Sequence, residues 1–357
     1  AVPWGDRLWW FWGDTNRPGY PLGHFQTSGA TSALPGRGGL DPGAGVNLDY
    51  FVDQEGFSRP MCPMAAPGPI WIEGLLVARD AGGTERLATH YSRMKDLGAM
   101  LEHGVMVFDE KDNAFKKYKQ LDLGEKWRFP QGHPFLHQEG DASHYLLGNP
   151  FVVARVKPEL RCVVDPACYE AFTCLKPGSR YQKGDSQVER AADGHLVYAW
   201  KPDTDPVAGA EERELMKAGT IRPEEVRYQP RDLESGKPIE IHFGSVTWNP
   251  FRKKWIMIAV QQGGPISFLG EVWYSESDAP TGPWMWARKI VTHDKYSFYN
   301  PVHHPFFDQQ GGRIIYFEGT YASTFSGNPC PTPRYDYNQI MYRLDLADPR
   351  LTKRDAK

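Results

Sequence analysis

Runs of positive charge are the first thing this chain lacks. Its 41 basic and 44 acidic residues leave a formal net charge of −3, with no long stretch of Lys or Arg. That balance excludes the basic footprint of a nucleic-acid binder. No apolar run approaches the roughly 20 residues of a membrane span. Neither nucleic acid nor membrane is therefore an expected partner. Cysteine is scarce, with only Cys62, Cys162, Cys168, Cys174 and Cys330, five in all. An odd count leaves at least one thiol free or paired between molecules. Three of them are spaced by six residues, whereas zinc sites favour C-x-x-C pairs. No metal site is expected, and one or two local disulfides of an exported protein are. The chain opens on Ala1 rather than Met. A secreted or periplasmic location, with a signal peptide removed, is expected. Helical patterning is nearly absent too. Residues 210–226 alone read as a helix, polar and charged, with Gly219 and Pro223 as breakers.

What the chain has in quantity is turn and ring residues. Gly numbers 36, Pro 30 and Trp 12, and aromatics make up 13 %. Many tight turns and few helices follow from the first two. The aromatics suit both strand packing and sugar platforms. Three segments share one grammar of strand, Gly/Pro/Asn turn and strand: 241–262, 271–290 and 300–321. They read as successive blades of one β-propeller, an all-β fold. With 357 residues the expectation is a five-bladed β-propeller over residues 1–357, with long loops. One short helical insertion is expected on its rim around 203–238. Further hairpins are predicted at 70–93 and 104–121, and a strand pair at 143–156. Residues 16–69 read as a long Gly/Pro loop, of a length that is usually functional. It is expected to fold over the propeller face. Residues 339–346 alternate as a half-buried strand should. They are expected to pair with an N-terminal strand and close the ring.

Several segments together resemble a known family. They are Gly13-Asp14-Thr15 after an aromatic strand, and His144 through Pro150 leading to Val153-Ala154-Arg155-Val156. Tyr169-Glu170-Ala171-Phe172 and Ser245 through Pro250 follow, then Tyr299 through Phe306 and Tyr337 through Tyr342. In this order they resemble the propeller family once labelled a domain of unknown function and later linked to endo-D-arabinanase activity on mycobacterial cell-wall arabinan. The chain departs from that pattern at 16–69 and in carrying Glu73 and Glu318. It resembles a divergent member. The resemblance implies a glycoside hydrolase acting on a polysaccharide or oligosaccharide. It implies no required cofactor, and it leaves room for a structural cation near the propeller axis.

Glycoside hydrolysis needs two carboxyl groups, one to protonate the leaving oxygen and one to activate water or attack the sugar. Asp14 ends a very apolar strand in a Gly-Asp-Thr turn, where it is a candidate base or nucleophile. Glu73 and Glu318 each lie in an apolar strand and precede a glycine. An acid in such a setting is costly unless paired or facing a cavity. Either could be the general acid, and Arg93 is a candidate partner for Glu73. Asp141 and Glu271 are weaker candidates. For substrate contacts the pattern offers His24, His90, His303 and His304, of which the last two, adjacent on a strand, face opposite ways. Arg17, Arg93, Asn149 and Asn300 are candidate clamps. Trp71 and Tyr321, with Trp10 and Trp12, are candidate platforms. Two rival functions use the same residues. One is a non-catalytic carbohydrate-binding propeller. The other is a polysaccharide lyase, with His or Tyr as base and Arg93 neutralising a uronate.

Overall fold

The computed structural model describes residues 1–13, 15–17, 20–25, 27–96, 98–323, 326–328 and 337–352; of 16, 17 and 20–25 it describes the backbone only. The fold is all-β. Five sheets of three to five strands follow one another as the five blades of a β-propeller, with one extra two-stranded hairpin. The chain divides into two compact units. The first comprises Ala1–Leu147 and Arg155–Tyr169, the second Gly148–Ala154 and Glu170–Lys357. No helix among the described residues is long and apolar enough to cross a membrane.

In the first unit, β1 (Val2–Trp4) and β2 (Arg7–Trp12) precede the small hairpin of β3 (Thr15–Arg17) and β4 (Tyr20–Phe25). β5 (Ser28–Ala33) and β6 (Asp49–Tyr50) complete a sheet of order β1-β2-β5-β6. The expected long loop at 16–69 is thus corrected. Part of it is strand, and β5 pairs with β2 along its whole length. The strand was hidden because it is built of small residues, SGATSA. Smallness is what the site demands. A Cβ on Gly29 would lie 2.8 Å from the Phe11 ring. Large rings on β2 therefore select small residues on β5.

The second blade is β7 (Ile70–Arg79), β8 (Glu85–Met94), β9 (Met100–Asp109) and β10 (Ala114–Gln120), in the order β10-β9-β8-β7. Asp80 Oδ1 accepts from the Gly82 and Thr84 amides and closes the β7–β8 turn. Ile70, Leu87, Tyr91, Met106, Phe108 and Phe115 form its core with Met61 and Cys62. Each such burial contributes about 1.5–3 kcal/mol. The third sheet gives this unit the hairpin of β11 (Phe135–Glu139) and β12 (Ala142–Gly148). After β13 (Val152–Val156) comes α1 (Leu160–Val163).

In the second unit, β14 (Glu170–Thr173) and β15 (Ala199–Pro202) pair antiparallel. The insertion follows as α2 (Gly209–Lys217). It is anchored rather than merely decorative. Buried Glu212 accepts from the Arg227 and Tyr228 amides and from the Tyr198 hydroxyl. Leu215 joins a core with Cys174, Leu175, Val207 and Ile221.

The fourth blade is β16 (Arg231–Asp232), β17 (Ile241–Asn249), β18 (Lys254–Gln261), β19 (Val272–Ser277) and β20 (Trp286–Val291), in the order β16-β20-β19-β18-β17. The segments at 241–262 and 271–290 are therefore one blade, not two. The short connection between them lets β18 and β19 pair directly. The fifth blade is β21 (Ser297–His303), β22 (Ile314–Ala322) and β23 (Asn338–Asp345), in the order β21-β22-β23. β23 takes its ladder from β22 across eight residue pairs. The expected pairing of this strand with the N-terminus is thus replaced by a local meander, the shorter loop to close.

Local disulfides are not formed either. Cys62, Cys162, Cys168 and Cys174 are free, and Cys330 lies outside the described residues. Cys62 and Cys174 sit in separate apolar cores, so packing holds them apart from partners. Burial pushes the Cys174 thiol up to about 11.

Candidate functional site

The register of β7 on β8 sets Glu73 directly opposite His90. Glu73 Oε1 lies 3.4 Å from His90 Nδ1. The acid is 43 % exposed and the imidazole only 2 %. A bulge between Glu73 and Leu76 twists the strand here, with Gly74 at φ +65°. The Gly74 amide donates to the Gly132 carbonyl at 3.0 Å. The Gly132 amide in turn donates to Glu73 Oε2 at 3.2 Å. A Cβ on Gly74 would fall 2.3 Å from the Pro130 carbonyl carbon. Glycine is thus what lets residues 130–132 lie against the carboxylate.

Behind His90 the contacts run inward. His90 Nε2 is 3.0 Å from His103 Nδ1, and His103 Nε2 donates to the Asp122 carbonyl at 2.6 Å. The Phe129 ring stacks on His90 at 4.0 Å. Burial pushes the His90 pKa down, against the raising influence of Glu73. His103, Phe129 and Gly132 were missed by sequence reasoning. They come from a third strand and a loop whose place no local pattern reveals.

Asp14 lies outside the described residues, and of Arg17 and His24 only the backbone is described, in β3 and β4. The residue before Asp14 is informative. A Cβ on Gly13 would lie 3.8 Å from Trp71 Cδ1. Trp71 shares a strand face with Glu73, two positions away. Its buried Nε1 has no hydrogen-bond partner among the described residues. Trp10 instead donates to Ser32 Oγ at 2.9 Å, and its ring stacks on Trp12. Arg93 is not the partner of Glu73. It donates to the Pro67 carbonyl and reaches Glu102 at 3.3 Å. Tyr91 and Lys117 also meet Glu102, each at 2.6 Å. Burial would raise the Glu102 carboxyl, but these donors outweigh it and hold it at about 2. Asp141 is exposed, in the β11–β12 turn.

In the second unit, Glu318 sits on β22 and accepts from His304 Nε2 at 2.9 Å. Both are nearly enclosed, with the side chains 13 % and 2 % exposed. Burial would raise this carboxyl, but His304, by its charge and its hydrogen bond, holds it below the usual range. His303 faces different partners. Asp308 takes its Nε2–H at 2.7 Å, and its Nδ1 lies 2.6 Å from the Thr247 hydroxyl in a hydrogen bond. The Ser245 hydroxyl accepts from the His303 amide. These links tie β17 to β21.

Asn149 Oδ1 accepts from the Gly244 amide at 3.0 Å. Asn300 is exposed, with φ +53°. Tyr321 is half-buried and stacks on Tyr296 at 4.5 Å. Glu271 is fully buried and bonded to Lys289 and Thr292 at 2.9 Å each. A cavity of about 480 Å³ opens elsewhere in this unit, lined by residues such as Tyr274, Glu276, Asp278 and Trp286. None of the sequence-derived candidates whose side chains are described lines it. Among the described residues, no three His, Cys, Asp or Glu side chains are grouped to hold a metal.

No family model matches this sequence, and no curated protein does. Solved structures similar to the chain do exist. The exo-β-1,3-galactanase of Phanerochaete chrysosporium, solved with β-1,3-galactotriose, is similar over 97 % of this chain at 11 % identity and a TM-score of 0.44. The exo-β-1,3-galactanase of Clostridium thermocellum is similar over 96 % at 11 % identity and a TM-score of 0.43. This chain spans 59 % and 58 % of the length of those two. The α-L-arabinanase of Penicillium chrysogenum, with arabinobiose, is similar over 96 % of this chain and 90 % of its own, at 12 % identity and a TM-score of 0.41.

Proposed function

We propose that this chain is a glycoside hydrolase of the endo-D-arabinanase-type propeller family. It cleaves an arabinan-like or other polysaccharide outside the cytoplasm by a paired-carboxylate mechanism. The observation that carries this reading is the setting of Glu73. It is a half-exposed acid flanked by apolar residues, held through both oxygens by His90 and the Gly132 amide. On the same strand face, Trp71 lies beside Gly13, the residue that precedes Asp14. Asp14 and Glu73 are the working pair in this proposal, with Asp14 activating water or attacking the sugar and Glu73 serving the leaving oxygen. Separations of about 5–5.5 Å or about 6.5–9.5 Å would distinguish retention from inversion.

The test is a screen of the purified chain against plant, algal and bacterial polysaccharides, with chromatography of the products, repeated with Asp14→Asn. New reducing ends that vanish in the variant are the expected result. Binding without product release would replace the hydrolase by a carbohydrate-binding propeller. A product absorbing in the ultraviolet would replace it by a lyase.

A further inference from the structure

The contacts behind Glu73 have a direction, and the direction can be read atom by atom. A carbonyl oxygen only accepts, so His103 Nε2 carries the hydrogen in its 2.6 Å contact with Asp122. His103 is buried at 1 % exposure. No carboxylate among the described residues lies within ion-pair reach of it, so a cationic ring there would be uncompensated. His103 is therefore neutral, and its Nδ1 offers a lone pair. His90 Nε2, 3.0 Å away, must then be the donor. A neutral His90 with its hydrogen on Nε2 turns a bare Nδ1 toward Glu73 Oε1 at 3.4 Å. No other donor among the described residues reaches that buried nitrogen. Two acceptors facing each other require a proton between them.

We propose that Glu73 and His90 hold one proton in common, imposed by the chain through His103 to the Asp122 carbonyl, and that this makes Glu73 the group that protonates the leaving oxygen. The inference rests on the glycosidase reading and chooses between the two glutamates. Burial of His90 against Phe129 disfavours its cation, so the shared proton resides on the Glu73 side. The Gly132 amide occupies Oε2, which leaves Oε1 to carry it. In the reaction, Oε1 gives this proton to the glycosidic oxygen. The bond from C1 to that oxygen breaks, its electron pair staying on the oxygen. Water adds to C1, and its released proton restores Glu73. Until then, a carboxylate faces the bare Nδ1 of His90, an arrangement that favours recapture of the proton.

The other described titratable groups nearby are engaged elsewhere. Tyr91 and Arg93, on β8, meet Glu102 of β9 together with Lys117 of β10. The Asp122 carboxylate accepts from the Gly124 amide. Glu125 is paired with Arg128. None of these contacts supplies a hydrogen to His90 Nδ1.

Nitrogen-15 shifts of the histidine rings in the full chain test the proposal without needing a substrate. Near neutral pH, His90 and His103 are both expected neutral with the hydrogen on Nε2. A doubly protonated His90, or a hydrogen on His103 Nδ1, overturns it. Activity gives the second arm. His103→Leu frees His90 to place its hydrogen on Nδ1 and donate to an ionised Glu73. An ionised Glu73 has no proton to give, so kcat/KM on the natural polysaccharide falls at least about 10-fold, while an aryl glycoside whose leaving group needs little protonation keeps most of its rate. Equal losses on the two substrates, or no loss on either, sink the assignment of Glu73. If the variant does not fold, the wild-type shifts decide alone. If no polysaccharide is cleaved at all, the hydrolase reading falls while the ring tautomers still stand or fail by themselves.

Discussion

The same dipeptide, Glu-Gly in an apolar strand, occurs once in each unit, and the two copies are put to different use. Glu73 is 43 % exposed and meets an imidazole at 3.4 Å through a nitrogen with no hydrogen-bond partner among the described residues. Glu318 is 13 % exposed and accepts a 2.9 Å hydrogen bond from His304. The following glycines differ as well. Gly74 adopts φ +65° and lies against the backbone at Pro130. Gly319 lies under the Phe298 ring, 2.5 Å from where a Cβ would sit. A donor facing the acid stabilises its ionised form, whereas an acceptor facing it keeps a proton. The identity of the residue does not set its chemistry here. The hydrogen on the opposite ring does.

The largest effect should separate the two acids by rate. Glu73→Gln removes the proposed proton donor, and turnover on the natural polysaccharide should fall about 10²–10⁴-fold. On an aryl glycoside whose leaving group needs little protonation, most of that loss should disappear. Glu318→Gln should show no such rescue. Rescue of Glu318→Gln instead would reverse the comparison. Loss in neither variant would make both residues structural.

Next comes stability. His304→Leu leaves the Glu318 carboxylate enclosed without its donor, and removing one partner of a buried pair costs about 3–5 kcal/mol. The pH dependence gives the sign. In the wild type the folded carboxyl is held below its usual range. It therefore adds stability above the unfolded carboxylate pKa, which is lost as pH falls through the folded value. In the variant the raising influence of burial is no longer opposed by His304, so the deficit should be worst at neutral pH and shrink on acidification. Denaturant melts from pH 7 down to pH 4 would show it. A deficit that grows toward acid would contradict this account of Glu318.

How much of this was legible beforehand depends on the range of each signal. The β7–β8 and β9–β10 hairpins were, because alternating apolar residues flank Ala81-Gly82-Gly83 and Lys111-Asp112-Asn113. Glu73 and Glu318 were too, as acids out of place in apolar strands. That His90 faces Glu73 was not, because the pairing crosses a bulge whose register no local pattern reports. His103 was further out of reach, since its role depends on a third strand and on a backbone carbonyl. β5 failed for another reason. A strand chosen to be small beneath Phe11 has no hydrophobic period to detect. The grouping of 241–262 with 271–290 into one blade turned on strand pairing, which the shared local pattern cannot distinguish from repetition.

The smallest effect is the most discriminating, because it compares the two glycines. Gly319→Ala should cost about 1–3 kcal/mol by overpacking, since Phe298 is fully buried between His293 and Tyr342 and has little room to yield. Its consequence should stay in the core, lowering Tm with turnover retained. Gly74→Ala should cost a similar amount, about 1–3 kcal/mol, from a left-handed backbone that a side chain resists. Here the clash is with backbone at 2.3 Å, so residues 130–132 must move. They carry the amide that holds Glu73 Oε2. A displacement of that amide misplaces the acid, and misplacement of about 1 Å can cost on the order of 10²-fold. Gly74→Ala should therefore lose far more activity than Gly319→Ala at equal loss of Tm. The measurement is kcat at a temperature where both variants are fully folded. Equal activities would mean that the 130–132 segment does not position Glu73, and the contrast between the two glutamates would then rest on their histidines alone.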